Sequence, residues 1–402
     1  MSLEAQPVTI IGAGIAGLAT ACAMAQRGAN VTLLEQATEI AEVGAGLQIS
    51  PNGAIVLQAL GLGGDLEDAS IRGQAVELRD GPTGRLVTRL DIRQLHPRQG
   101  WHFLHRADLI GLLLKAARKR GVRFGLSDKV ARVSIDECQP ILTLANGSQI
   151  GSDLVIGADG LHSICRAAVD GGTSPFFTHQ VAWRALIPCQ RTESAVAEIH
   201  MGEGRHLVSY PLRGGTIRNL VAIEERPDWA EEGWSHRDKP ENLRLAFASF
   251  GPRAQEWLSR VDEVYLWGLF RHKVARIWQA ALAEGAVALV GDAAHPTLPF
   301  MAQGANMALE DAWALAACLD EGPDRATSLR RYQALRRSRA ERIVEAANRN
   351  ARNYHLGGIR RSLAHQALRI GGRLAPGLAL GRLDWIHGYD VVQAASRIQT
   401  GT

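Results

Sequence analysis

The sequence predicts an α/β fold, in which a Rossmann-like domain with a parallel sheet carries an inserted, mainly antiparallel β-sheet domain. The parallel sheet is indicated by short apolar runs such as Val8–Ile11, Leu154–Ile156 and Ala286–Val290, which are typical of buried strands. Between Pro175 and Trp278 helical periodicity thins, and short alternating runs dominate. The predicted domains are a discontinuous first domain of residues 1–74, 101–174 and 279–402, C-terminal helices included, and an inserted domain of residues 75–100 and 175–278.

A strand, glycine loop, helix and strand open the chain and predict dinucleotide binding. The pattern G-x-G-x-x-G occupies residues 12–17, directly after the first strand, and starts a helix of small residues. The first glycine permits a tight turn, the second lets a pyrophosphate approach the backbone, and the third lets the helix pack close to the sheet. The helix N-terminus favours phosphate, and an acid at the end of the second strand is placed to accept hydrogen bonds from a ribose. The candidate contacts are Gly12, Gly14, Ala16, Gly17 and Glu35.

Composition and charge exclude several classes of protein. Hydrophobic residues make up 46% and charged residues 21%, as in ordinary globular chains, and a net charge of +4 is too small to argue for nucleic acid. The five cysteines are scattered and form no C-x-x-C pair, which indicates a reducing, cytoplasmic setting without a metal site. No apolar run reaches the length of a membrane span. We therefore expect a cytoplasmic protein that acts on a small molecule, with a homodimer left open.

Three stretches between residues 43 and 120 are expected to form parts of the site or its surroundings. Glycines in the segment Val43–Gly53 predict backbone close to something flat or bulky. Residues 75–90 read as a hairpin that turns at Asp80-Gly81, and a strong helix is predicted to end near Arg120. Arg106 stands just before that helix, either as a surface arginine or as a cation that reaches phosphates.

The inserted domain is rich in tryptophan, with six of the nine at positions 183, 229, 234, 257, 267 and 278. They predict an aromatic-lined pocket for a planar ligand, although for each one alone a core position is the simpler interpretation. Two late helices are predicted, from Met307 to Leu319 and from Ser328 to Tyr354. The end of the chain, Gly371–Tyr389, is expected to pack on the first domain.

Three separated segments together resemble the single-component FAD-dependent aromatic hydroxylases. Besides the N-terminal glycine pattern, Asp159–Arg166 matches the family's D-G-x-x-S-x-x-R, and Gly291–Pro296 matches its G-D-x-x-H-P. The order and spacing of the segments also fit, over nearly the whole chain. The resemblance is closest to the group of salicylate hydroxylase and 3-hydroxybenzoate 6-hydroxylase. It implies an FAD-binding domain of the glutathione-reductase type and the para-hydroxybenzoate-hydroxylase-like fold.

The resemblance implies FAD as the cofactor, with NADH or NADPH as a transient co-substrate, because the chain carries one dinucleotide fingerprint. Asp159 and Arg166 are linked in the family to FAD and to the nicotinamide step, whereas the simpler interpretation is a salt bridge between them. Asp292 is placed to hold the ribityl chain, and the helix start after Gln303 to face the flavin pyrimidine edge. The further implied FAD contacts are Gln36, Gly46, Leu47, Arg106, Val130, Asp159, Arg166, Asp292, Pro299, Gly304, Ala305 and Asn306.

The implied reaction is hydroxylation of a small aromatic acid, salicylate or another hydroxybenzoate, through a C4a-hydroperoxyflavin. The stretch His206–Gly215 resembles H-L-V-x-Y-P-x-R-G-G of the 3-hydroxybenzoate 6-hydroxylase branch, which makes His206 the candidate base and Tyr210 its partner. In a strand these two side chains share one face. The branch has glutamine at the position of Pro299, which leaves the substrate open. Lower-ranked candidates for an aromatic wall and a carboxylate partner are Trp183, Arg184 and Arg213.

Three alternatives remain at the level of sequence. The first is an FAD monooxygenase that acts on a hydroxypyridine or a polycyclic ring. The second is an NAD-dependent dehydrogenase, which the glycine pattern alone would permit but which the segments at Asp159 and Gly291 argue against. The third is a non-catalytic flavin-binding module.

Overall fold

A computed structural model describes residues 2–40, 45–135, 138–190, 194–228, 236–374 and 381–400. Its strands are β1 (Pro7–Ile11), β2 (Asn30–Glu35), β3 (Gly46–Ile49), β4 (Ile71–Arg72), β5 (Ala75–Asp80), β6 (Leu86–Asp91), β7 (His102–His105), β8 (Arg123–Leu126), β9 (Val130–Ile135), β10 (Pro140–Leu144), β11 (Gln149–Gly151), β12 (Leu154–Gly157), β13 (Phe176–Pro188), β14 (Val196–Gly202), β15 (Arg205–Leu212), β16 (Ile217–Glu225), β17 (Arg237–Asp238), β18 (Val264–Arg271), β19 (Gln279–Ala281) and β20 (Ala286–Leu289). Its α-helices are α1 (Ile15–Ala25), α2 (Pro51–Ala59), α3 (Gly63–Ala69), α4 (Arg106–Lys119), α5 (Ile164–Asp170), α6 (Pro240–Ala246), α7 (Pro252–Ser259), α8 (Gly304–Glu321), α9 (Arg325–Tyr354), α10 (Gly358–Leu374), α11 (Asp384–His387) and α12 (Val391–Thr400). Of the residues singled out in the sequence, Val43, Gly44, Trp229 and Trp234 lie outside the described residues.

The first layer is a six-stranded sheet in the order β19-β20-β12-β1-β2-β8. Its strands pair in parallel except for the edge strand β19, which runs antiparallel to β20. The inner strands β12 and β20 are continuous runs of buried residues, as expected for a sheet covered on both faces, and β1 and β2 are mostly buried apart from their first residues, one threonine each and Glu35. Helix α1 packs between this sheet and helices α4 and α8.

The second layer is an eight-stranded sheet in the order β17-β18-β13-β16-β15-β14-β5-β6. Its pairings are antiparallel except between β14 and β5. One face packs on α6 and α7 through a cluster that includes Trp183, Phe247 and Trp257. Because side chains alternate across a strand, neighbours such as Arg184 and Val208 face the opposite way, toward the first layer.

A three-stranded sheet, β3-β7-β4, connects the two layers. The amide N–H of Gly46 on β3 donates to Oδ1 of Asn219 on β16 at 2.9 Å. A Cβ at Gly46 would stand 2.7 Å from the Asn219 side chain and 2.8 Å from the Tyr210 ring. A side chain at position 46 would therefore push the two layers apart, which agrees with the close backbone approach predicted for this segment.

The C-terminal region departs in part from the sequence-based expectation. The segment from Gly371 was expected to form a tail on the first domain, but α10 begins at Gly358 and packs against β6 of the second layer. Helix α11 contacts α2, and α12 contacts α2 and α8, so the part of the tail around Trp385 packs on the first layer as expected. Among the described residues, no helix combines the length and hydropathy that crossing a bilayer requires.

A buried layer of charges joins α8 to α9. Arg336 is fully buried and forms ion pairs with Glu310 and Asp311, and Arg339 pairs with Glu310 at 2.8 Å. The Glu310 carboxylate also accepts from Asn52 of α2 at 2.6 Å. Opposite charges that satisfy each other in this way are costly to separate, because removal of one partner leaves the other buried without compensation.

Replacement of Arg336 by methionine should destabilise the protein by about 3 kcal/mol, because it strands Glu310 and Asp311 in the interior. The matched control is Arg337→Met on the next position, where the side chain is 38% exposed and pairs with Glu341 one turn away. The control should cost less than about 0.5 kcal/mol. Urea unfolding of both variants measures the difference; equal midpoints would contradict this account of the α8–α9 contact.

Candidate active site

A cavity of about 780 Å³ lies between the carboxyl edge of the six-stranded sheet and the free face of the eight-stranded sheet. Residues predicted to hold a cofactor line one side of it: Gly14, Ala16, Gly46, Leu47, Arg106 and Asp292. Pro299, Gly304 and Ala305 extend that wall, and His206 and Tyr210 stand on the wall formed by β15. The fold therefore brings eleven predicted site residues together in one cavity.

The glycine fingerprint has the geometry that its spacing predicts. Gly12 adopts a φ of +101°, and a Cβ there would stand 2.5 Å from the Ala158 carbonyl oxygen. A Cβ at Gly17 would stand 1.9 Å from the Gly12 carbonyl oxygen, so α1 packs against the loop with no room for a side chain. At Gly14 a Cβ would meet nothing within 4 Å, because that position opens into the cavity.

Glu35 is held at the end of β2, beside the same loop. Its Oε2 accepts from the Ala13 amide at 2.8 Å, and its Oε1 accepts from the Ala37 amide at 2.9 Å. Two amide donors fix the carboxylate while further lone pairs remain for a diol. Gln36 follows on the exposed side of the loop.

The N-terminus of α8 faces the cavity. The first intrahelical bond runs from Met307 N to Gln303 O, so the N–H groups of Gly304, Ala305 and Asn306 precede the helical ladder. The Asn306 side chain lies behind them: its Oδ1 accepts from Ser50 N at 3.0 Å. Asn306 therefore fixes the helix start against the loop before α2, while the backbone donors and the helix dipole are available to an anionic group.

Asp292 follows β20, at the sheet edge, and faces the cavity. Desolvation by its surroundings is the main cause that raises the pKa of its carboxyl, while His295 and Arg106 lower it in part. The turn that carries Asp292 is fixed from behind, because Gly291 N donates to Asp311 at 3.0 Å and His295 Nε2 pairs with the same carboxylate.

Arg106 lines the cavity as the first residue of α4, one position further into the helix than the sequence indicated. The residue that caps the helix is His105, whose Nδ1 accepts from the Ala107 amide at 3.2 Å. Arg106 thus lies at a helix N-terminus, where free N–H groups and the helix dipole favour phosphate.

Five of the other predicted contacts do not line the cavity. Asp159 accepts from Ser163 Oγ at 2.5 Å and from Cys165 N at 3.1 Å. Arg166 donates to the Lys273 carbonyl at 2.7 Å and lies 3.9 Å from Asp170, so the salt bridge considered between Arg166 and Asp159 is wrong. The remaining three are Glu35, Gln36 and Val130, the last a buried residue on β9.

His206 and Tyr210 share one face of β15. His206 is fully buried, and its Nδ1 lies 2.7 Å from Nε2 of His355. Burial, followed by the charge of His355, holds the pKa of His206 well below its ordinary value. Tyr210 is 4% exposed, its ring centre lies 5.3 Å from that of Phe103, and burial raises the pKa of its hydroxyl. The pair thus combines a neutral imidazole with a protonated phenol.

Two lower-ranked sequence candidates are wrong. Arg213 has a φ of +49° in the turn after β15, which directs its side chain to Asp108 at 2.9 Å and away from the cavity. Trp183 lies on the far face of its strand, where its indole donates to Asp238 at 2.7 Å. Arg184, its neighbour on β13, lines the cavity with its guanidinium 4.5 Å from the centre of the Trp267 ring.

The cavity has the predicted aromatic lining, but none of the four described tryptophans of that segment contributes to it, and the core position that was the simpler interpretation for each is confirmed. Trp183 and Trp257 belong to the core beneath α6 and α7, and Trp278 packs on Tyr332. Among the described residues, the tryptophan that lines the cavity is Trp101, whose indole donates to Gln48 at 2.9 Å. Strand alternation, which composition alone does not reveal, decides which face a tryptophan takes.

Sequence reasoning missed the partner of His206. His355 follows the end of α9, 149 positions from His206, and its Nδ1 lies 2.6 Å from Glu225. It also missed α10, whose Ala364, His365 and Leu368 help close the cavity. No local pattern signals either, because both depend on how distant segments pack.

Comparison with known proteins agrees with this geometry. Residues 5–347 match the family described as FAD binding domain. The chain belongs to this FAD-binding family. A 3-amino-4-hydroxybenzoate 2-monooxygenase of Streptomyces platensis is 33% identical over 97% of this chain and 98% of its own. A 3-hydroxybenzoate 6-hydroxylase of Polaromonas naphthalenivorans is 32% identical, over 96% of each chain.

Solved structures give the same result. HpxO of Klebsiella pneumoniae, in complex with FAD and uric acid, is 26% identical and superposes with a TM-score of 0.78 over 92% of this chain and 95% of that one. A salicylate hydroxylase in a substrate complex is 24% identical and shares the fold, with a TM-score of 0.80 over 99% and 98% of the two chains. The predicted family, the fold class, the FAD cofactor and the monooxygenase class of this flavoprotein are confirmed.

Replacement of Gly17 by alanine should unfold the FAD-binding layer or expel the flavin, because the new Cβ would stand 1.9 Å from a backbone oxygen. Gly14→Ala is the matched variant, since its Cβ meets no protein atom. In Gly14→Ala the free energy of unfolding of the apoprotein should change by under about 1 kcal/mol. The FAD affinity should fall about tenfold, because the new methyl group occupies the space of the phosphates. Thermal unfolding of apoprotein and flavin titration test both. Unchanged FAD affinity in Gly14→Ala would contradict the placement of the phosphates.

Proposed function

We propose that this flavoprotein monooxygenase uses NADH or NADPH and oxygen to hydroxylate a small phenolic aromatic acid of the hydroxybenzoate class. The observation that carries the proposal is the composition of the cavity. Opposite the wall with the predicted FAD contacts, β13 and β15 present a buried neutral histidine, a tyrosine and an arginine among apolar side chains. A phenol, a carboxylate and a flat ring are the groups that such a wall recognises.

FAD would be held along the edge of the six-stranded sheet. Glu35 would bind the adenosine ribose, Gly14 and the α1 N-terminus the pyrophosphate, and Arg106 a further phosphate oxygen. Asp292 would accept from the ribityl chain, and the first N–H groups of α8 would face the flavin pyrimidine edge. When bound, FAD supplies the electron transfer from the nicotinamide and the activation of oxygen.

The protein's own contribution is to position and ionise the substrate. His206, neutral because burial lowers its pKa, would accept the phenolic proton at Nε2, while Tyr210 holds the same oxygen. Loss of that proton makes the ring electron-rich and open to electrophilic oxygen. Phe300 packs beside His206, with ring centres 5.4 Å apart, and helps to exclude water.

Arg184 would bind the substrate carboxylate. It lies on the same sheet face as His206 and Tyr210, and stacking over Trp267 fixes the plane of its guanidinium. A planar guanidinium suits a carboxylate because it donates two parallel hydrogen bonds. The relatives that are named for aminohydroxybenzoate and hydroxybenzoate oxidation support this substrate class.

Three further expectations concern the cellular compartment, the oligomeric state and the domain boundaries. The five free cysteines favour a reducing, cytoplasmic setting. A homodimer stays a prediction, as do the domain boundaries.

Purified protein should be yellow, and salicylate, 3-hydroxybenzoate or 3-amino-4-hydroxybenzoate should accelerate its NADH or NADPH oxidation with equimolar oxygen uptake and a hydroxylated product. A panel that also contains hydroxypyridines and polycyclic phenols, analysed by mass spectrometry, identifies the substrate. Turnover of the polycyclic or pyridine members alone would contradict the proposed class. Oxidation that yields only hydrogen peroxide would contradict hydroxylation.

His206→Gln should lower the rate of hydroxylation about 100-fold while FAD stays bound, because the amide cannot take the phenolic proton. In the native enzyme the acid limb of the pH profile of kcat/KM should lie below 6.5, since burial and His355 lower the pKa of His206 from that value. Tyr210→Phe should raise KM for the phenol more than it lowers kcat. Full coupled turnover by His206→Gln would exclude His206 as the base.

A further inference from the structure

Three side chains connect the cavity to the surface in a single line. His206 Nδ1 lies 2.7 Å from His355 Nε2, and His355 Nδ1 lies 2.6 Å from Glu225 Oε1. His206 is fully buried at the cavity wall, whereas the Glu225 side chain at the end of β16 is 50% exposed. The chain therefore begins where a substrate would lie and ends in solvent.

The carboxylate at the outer end determines where the protons sit. An ionised Glu225 only accepts, so His355 must donate through Nδ1–H, and its Nε2 must then accept. The His206 Nδ1 consequently carries a proton and donates to His355. The lone pair of His206 is then on Nε2. Of the four ring nitrogens of His206 and His355, it is the one that has no hydrogen-bond partner among the described residues.

The surroundings of His206 disfavour its protonated, charged form. Phe300 and Tyr354 pack on its ring, with centres 5.4 and 5.3 Å away, and burial with His355 lowers its pKa. Burial and the nearby charge of Arg205 lower the pKa of His355, while Glu225 raises it. Arg205 is itself paired with Glu224 at 3.3 Å. A proton taken up at the cavity is therefore favoured to move outward, toward the carboxylate.

We propose that His355 and Glu225 form a relay that carries the proton of a phenolic substrate from His206 to solvent. The inference rests on the proposed function, because that function supplies the phenol. The substrate O–H bond breaks and its proton joins His206 Nε2, while the Nδ1 proton of His206 passes to His355 Nε2. The Nδ1 proton of His355 then passes to the Glu225 carboxylate, which releases one proton to water. His206 touches the substrate; His355 and Glu225 act through it.

The proton positions are tested first, without turnover. In ¹⁵N-histidine NMR of the resting protein, assigned with His206→Gln and His355→Gln, His206 and His355 should both carry the proton on Nδ1. Glu225→Gln should retain this pattern, because the amide oxygen still accepts from His355. A His206 resonance with the proton on Nε2 would overturn the relay.

Proton release is tested next. A nitro-substituted hydroxybenzoate that turns yellow on ionisation should form its phenolate in the holoenzyme, and a pH indicator in weak buffer should report one released proton per site. In Glu225→Gln we expect release at least tenfold slower, with FAD affinity unchanged and partial recovery in Glu225→Asp. Wild-type release rates in Glu225→Gln would overturn the proposal.

The matched control is Glu203→Gln. Glu203 is exposed on the turn before β15, and its carboxyl group lies beside Gly357, two residues after His355. Its loss removes a carboxylate from the same part of the surface, while the hydrogen bonds from His206 to His355 and from His355 to Glu225 stay in place. Its proton release should stay within twofold of wild type; an equal loss in Glu203→Gln and Glu225→Gln would mean that surface charge, not the relay, sets the rate. Failure of the proposed function appears differently, as a wild-type enzyme whose NADH oxidation no aromatic acid stimulates.

Discussion

The contact between α1 and the loop that precedes it is the constraint on which the site depends. With Gly17 against the Gly12 carbonyl and Gly12 against Ala158, the helix start is held at the carboxyl edge of the parallel sheet. Ligands of open parallel sheets bind at that edge, because strand ends and helix N-termini converge there. Gly14, the one fingerprint glycine with open space beside it, then presents bare backbone to the cavity. Glu35, Arg106 and Asp292 are arranged around this fixed point.

The second layer gives the cavity its chemical character. Gly46 lets β3 approach β15 and β16 so closely that Tyr210 and Asn219 would contact any side chain there. The sheet face that results is apolar except for the few groups that address a ring substituent, while its opposite face is covered by α6 and α7. Cofactor binding and substrate recognition thus come from different layers, joined by backbone contacts that leave little freedom between them.

Local patterns in the sequence were sufficient where the chemistry depends on neighbours along the chain. The fingerprint glycines, the α8 N-terminus and the shared strand face of His206 and Tyr210 all follow from spacing. Contacts between distant segments were not accessible: His355 meets His206 only because α9 ends beside β15. Composition could not show which sheet face a tryptophan takes, so it could not identify Trp101 as the one in the cavity wall among the described residues. The position of Arg213 was wrong because its turn has a left-handed φ. The Asp159 and Arg166 pair was misjudged because each finds a nearer partner.

The central claim is that FAD lies along the sheet edge, with its reactive ring opening toward His206. A crystal structure of the protein with FAD and a hydroxybenzoate tests it most directly. The account predicts the isoalloxazine between Pro299 and the α8 N-terminus, and the substrate hydroxyl about 2.6–3.2 Å from His206 Nε2. A flavin bound elsewhere, or a substrate whose hydroxyl points away from β15, would contradict it.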